Sequence, residues 1–127
     1  MIVVRHLMNL LLSELEVQDE LLGLLIRERV AIAKQSQDEM DIVFSEREKL
    51  ERKLEALMSR RDGLLRSIES EMKMPEGNLS LDALEPLDDG ELAMLGESLA
   101  SAFDTIFELK EQNRALRKQS LLTLHHH

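Results

Sequence analysis

Few residues here are of the types that do covalent or metal chemistry. The chain holds 25 Asp and Glu, four His and no Cys. His125, His126 and His127 read as the remnant of an affinity tag, which leaves His6 as the single native histidine. One histidine makes no HExxH pair and no Glu-x-x-His ligand pairs for a di-metal bundle, and no credible Ser-His-Asp set is present. There is no Gly-rich phosphate loop, and without cysteine there is no thiolate ligand or disulfide. The expectation is a protein that is not an enzyme and needs no cofactor or metal. Its carboxylates read as the solvated faces of helices.

What remains is apolar chemistry. The stretch "FDTIFELKEQNRALRKQSLLTL", residues 103–124, carries two of the three phenylalanines, Phe103 and Phe107, one helical turn apart. Aromatic side chains are enriched both in cores and at interfaces, so both roles stay open for this pair. Met8, Met40, Met58, Met72, Met74 and Met94 add adaptable contacts. Core filling is the expectation for Met8 and Met40.

The elements that position these residues are helices. Leu, Glu, Lys, Arg, Ala, Met and Gln dominate, Trp and Tyr are absent, and five Gly and two Pro interrupt the chain. Straight-chain residues lose little side-chain freedom in a helix. A first helix over about 2–34 carries a four-three row of Val4, Met8, Leu11, Leu15, Gln18, Leu22, Leu25, Arg29 and Ile32. Leu7, Leu10, Leu12, Leu21, Leu24 and Ile26 widen that stripe enough for more than one neighbour.

Ser36 and Glu39 have the form of a capping box, which predicts a chain reversal there. The alternative is one continuous rod of about 105 Å. With the reversal, a second helix over about 37–72 pairs with the first at a constant index sum. Ile32 then meets Met40, Leu22 meets Leu50, Leu15 meets Leu57 and Val4 meets Ile68. The same register sets Glu28 beside Arg47 and Glu14 beside Arg61, pairs that fix register more than they stabilise.

Residues 73–90 contain both prolines and form a connector, with Leu79, Leu81, Leu84 and Leu87 able to pin it to the hairpin. Asp88 or Asp89 is the expected N-cap of a third helix over about 91–122. That helix carries Leu92, Leu95, Leu99, Ala102, Ile106, Leu109, Asn113 and Leu116 in one row, with Phe103 and Phe107 beside it. The expected fold is therefore all-α: a long, coiled-coil-like antiparallel hairpin with a third helix packed on it, in one domain over 1–124.

The formal charge is −9, which argues against a nucleic-acid partner. Residues 1–72 net −4, residues 73–98 net −6 and residues 99–124 net +1, so the third helix is the least acidic part. Arg5 and His6 break the apolar N-terminal run and no cleavage site follows, a poor match to a signal peptide. No uninterrupted apolar segment reaches the roughly 18 residues needed to span a bilayer. The expected location is the cytoplasm, without membrane insertion.

The segment from Leu10 to Leu65 contains a run of leucines, a Glu-rich first helix and a polar turn ending in Asp38. A Glu48-Lys49-Leu50 step follows, then Arg60 and Arg61 before Leu64 and Leu65. In the C-terminal part, "LKEQNRALRKQ" places Leu109, Asn113 and Leu116 in a Leu-x-x-x-Asn-x-x-Leu segment. With these features the chain resembles the FlgN family of flagellar type III export chaperones, though its first helix lacks the tyrosine often found there.

The resemblance implies a cytoplasmic chaperone that binds C-terminal helical segments of the hook-filament junction proteins FlgK and FlgL. Export-apparatus components and a second copy of the chain are further partners to be considered. It also implies that substrate binding lies in the C-terminal region, giving Leu99, Phe103, Ile106, Phe107, Asn113 and Leu116 that role. The alternatives are a structural coiled-coil or oligomerisation module, or another cytosolic holdase. A structural role predicts a fully protected third helix, and a chaperone role predicts one that orders with its client.

Overall fold

The computed structural model describes residues 2–73 and 90–125. Among these residues there are three helices and no strand: α1 (Ile2–Ala33), α2 (Gln37–Glu71) and α3 (Glu91–His125). None of the three is long and apolar enough to cross a membrane. Leu79, Leu81, Leu84, Leu87, Met74, Asp88 and Asp89 lie outside the described residues.

The reversal forms at Lys34–Ser36 without glycine or proline. Gln35 takes a left-handed conformation (φ 54°). This lets the Ser36 amide donate to the Ala31 carbonyl and the Gln35 amide to the Ile32 carbonyl, both at 3.0 Å. These two bonds satisfy carbonyls left open at the end of α1. Ser36 then caps α2, its Oγ accepting from the Glu39 amide at 3.3 Å. Only half of the expected capping box forms, because the Ser36 amide is already committed to Ala31. At the start of α3 the first helical bond runs from the Met94 amide to the Gly90 carbonyl, so the cap position falls to Gly90 (φ 84°).

α1 lies in the middle and packs along both other helices, whereas α2 and α3 approach each other much less closely. Val4, Leu7 and Leu11 share a buried cluster with Ile68 of α2 and with Leu92 and Leu99 of α3. Val17, Leu21 and Leu25 share a second cluster with Leu57 and Ile106. α3 therefore runs in the same direction as α1, and α2 runs against both. Side chains such as Leu7, Leu11 and Ile68 are fully excluded from water, each worth about 1.5–3 kcal/mol.

The hairpin register follows the index-sum expectation. Val4 and Ile68 share the first cluster, and Leu22 and Leu50 both pack against the second. Ile32 and Met40 line one cavity at the hairpin tip. Leu57 belongs to the second cluster, while Leu15 packs against the first.

The width of the buried stripe on α1 differs from the expected one. Its deepest columns are Val4, Leu11, Gln18, Leu25, Ile32 and Leu7, Glu14, Leu21, Glu28, each at seven-residue spacing. Met8, Leu15 and Leu22 are half-buried, and Arg29 is exposed. Leu12 and Ile26 point to solvent and do not widen the stripe. A helix between two neighbours buries adjoining columns, and two carboxylates stand in the second one.

A candidate docking surface on the third helix

The inner row of α3 is built as the spacing predicts. Leu92, Leu99, Ile106 and Asn113 are buried, with Leu95, Ala102, Leu109 and Leu116 half-buried between them. The row alternates four and three, so all of these residues lie over α1.

Asn113 is fully buried and holds two partners on α1. Its Nδ2 donates to the Leu25 carbonyl at 2.9 Å and to Glu28 Oε1 at 2.8 Å. The other carboxylate oxygen of Glu28 accepts from Arg47 Nη1 at 3.2 Å. Arg47 also pairs with Glu51 at 3.3 Å, and Glu51 pairs with Lys110 of α3 at 3.0 Å. Asn113 and Lys110 are one turn apart, so the contacts close a polar ring through all three helices. One more link, Arg29 Nη2 to Gln112 Oε1 at 2.8 Å, crosses from α1 to α3 on the surface. Polar groups buried as deeply as Asn113 and Glu28 are costly unless paired, so the ring specifies one seating of α3.

A second buried carboxylate lies lower on α1. Glu14 accepts from Arg61 Nη1 at 2.9 Å, as the hairpin register requires. Burial raises its pKa above the ordinary value, Arg61 pulls it back and Asp62 adds to the rise. It faces Arg61 inside the helical packing, where it serves register.

Phe103 and Phe107 stand outside this framework, at 60% and 58% exposure. They do not fill the core. Met94 and Leu121 are exposed on the same helix, and Arg114 lies between Phe107 and Leu121 in the same column, seven residues from each. Of the six residues expected to bind a partner, Leu99, Ile106 and Asn113 are turned into the bundle and Leu116 is half-buried. Only Phe103 and Phe107 are open to solvent as α3 is seated. An aromatic pair turned to solvent can bury an apolar partner surface.

Sequence reading did not single out Glu51, Lys110 or Phe44. Phe44 is 53% exposed on α2 and lines a cavity of about 370 Å³ with Met40, Arg117 and Leu121. The signal available was the heptad column Phe44, Glu51, Met58, Leu65 and Met72, which is apolar except at Glu51. The methionines follow their surroundings: Met8 and Met40 are half-buried, and Met58, Met72 and Met94 are exposed.

The sequence model described as FlgN protein matches residues 1–126. The chain belongs to the FlgN family. Neither a curated protein nor a solved structure matches it, so membership rests on that near-complete coverage. FlgN is a family of flagellar export chaperones. An all-helical chain fits that family.

Proposed function

We propose that this FlgN-family chain is a cytoplasmic export chaperone for the hook-filament junction proteins FlgK and FlgL. It binds their C-terminal helical segments, keeps them unassembled and presents them to the type III export apparatus. The observation that carries the reading is the exposure of Phe103 and Phe107, one turn apart on a helix whose inner row is already satisfied by α1. A segment that polymerises through an apolar helical face must have that face covered before export, and exposed aromatics on an amphipathic helix can cover it. Binding and release need no nucleotide or metal, because competition at the export apparatus can drive release.

The reading is tested by titrating the full chain with C-terminal peptides of FlgK and FlgL and following hydrogen exchange across residues 92–121. Saturable binding with new protection around Phe103 to Leu116 is expected. Absence of binding, with that helix already fully protected, would leave a structural helical module instead.

A further inference from the structure

We propose that the cleft between α2 and α3 seats the partner's amphipathic helix as a fourth helix, with Phe44 and Met58 of α2 as one wall and Phe103 and Phe107 of α3 as the other. The proposal rests on the chaperone reading and deepens it by assigning half of the site to α2.

The placement follows from register. α2 and α3 run in opposite directions, and Glu51 meets Lys110 at 3.0 Å. One heptad towards the hairpin tip, Phe44 and Arg117 line the same cavity, which repeats the pairing independently. One heptad the other way, Met58 comes level with Phe103, in the same columns as Glu51 and Lys110. Met58 is 38% exposed and Phe103 is 60% exposed, so neither is used up inside the bundle. Phe107 stands one column further out, level with Leu54.

Two features specify the occupant. Both walls repeat every seven residues, Phe44, Glu51, Met58, Leu65 and Met72 on α2 and Phe103, Lys110 and Arg117 on α3, which is the spacing that receives a helix with its own heptad row. Charge sets the orientation. Arg117 lines the end of the cleft nearest the hairpin tip together with Glu28 and Asp41, whose carboxylates already accept from Arg47 and Asn113 and from Gln37. Arg114 and Lys118 lie on the same stretch of α3, the only net-positive segment of a chain whose charge is −9. The occupant therefore carries a carboxylate opposite Arg117 and its apolar row at the level of Met58 and Phe103. A second copy, also at −9, is opposed by charge.

The chain has no cysteine, so single thiols report position directly. Met58→Cys, Phe103→Cys and Gly63→Cys variants of the full chain would be mixed with a FlgK C-terminal peptide bearing one cysteine in its apolar row. Gly63 lines a different groove, between α1 and α2. Adducts at 58 and at 103 but not at 63 are expected, together with at least tenfold weaker binding in both Met58→Glu and Met58→Gln at unchanged helicity. Adducts at 103 alone, adducts at 63, or full affinity in both Met58 variants would overturn the cleft. If binding is lost only in Phe103→Ala with Phe107→Ala, the chaperone reading stands while the cleft falls. A wild-type chain that binds neither FlgK nor FlgL peptides overturns both, and peptide-free dimers linked through position 58 assign the cleft to a second copy.

Discussion

Glu28 on α1 and Asn113 on α3 are 85 positions apart in the chain and meet at 2.8 Å in the buried interior. The contact joins the third helix to an ion pair that already joins the first two. Asn113→Ala removes the donor to both Glu28 and the Leu25 carbonyl and leaves their oxygens short of a partner. A loss of about 1–3 kcal/mol is expected, read from the urea midpoint at constant m-value. Amide exchange should rise most in α3, the helix that Asn113 anchors.

Glu14 sets a pH dependence. Burial raises its folded pKa above the ordinary value of 4.5, with Arg61 opposing. The protonated form is thus favoured on folding. Its contribution to stability is complete below pH 4.5 and is lost as pH rises through the raised folded value. Glu14→Gln cannot titrate, so its stability relative to the native chain should increase across that window and level off above it. Urea unfolding of both chains from pH 4 to pH 7 checks the sign.

The two faces of α3 should separate cleanly in mutagenesis. Leu99→Ala or Ile106→Ala empties space beside α1 and is expected to cost about 2–4 kcal/mol. Phe103→Ala with Phe107→Ala removes exposed side chains and should change stability by no more than about 0.5 kcal/mol per site while abolishing client binding. Circular dichroism and peptide titration on the same samples test both halves. Wholesale loss of helicity in the phenylalanine double variant would place them in the core after all.

Gly23 and Gly63 lie inside helices, and a Cβ on either would meet open space. Replacing each with alanine reduces the freedom of the unfolded chain without a clash. A gain of about 0.4–1 kcal/mol per site is expected, seen as a higher Tm. Client binding in the α2–α3 cleft should be unaffected.

The hairpin turn holds Gln35 at φ 54°, where glycine is favoured. Gln35→Gly should stabilise the chain by about 0.5–1 kcal/mol. Ser36→Ala removes the acceptor for the Glu39 amide and should cost about 0.5–2 kcal/mol. Thermal melts of the two variants should therefore move in opposite directions.

Much of the hairpin was legible in the sequence. Four-three apolar spacing sets which face of each helix is buried. A constant index sum then follows from one reversal, which is why Glu14–Arg61 and Glu28–Arg47 could be paired beforehand. The inner row of α3, including Asn113, followed from the same periodicity, and Ser36 marked the start of α2 through its local bond to the Glu39 amide.

Three things were decided only by the tertiary structure. The deep burial of Glu14 and Glu28 depends on α1 lying between two neighbours, and charge at those positions hides the column from a hydropathy reading. The Asn113–Glu28 bond depends on the lengthwise offset of α3 against α1, set after a connector whose length does not specify it. Finally, Phe103 and Phe107 are equally suited to a core and to a surface. Their exposure follows from how far α2 and α3 stand apart, and no local sequence pattern encodes the distance between two helices that are both held by a third.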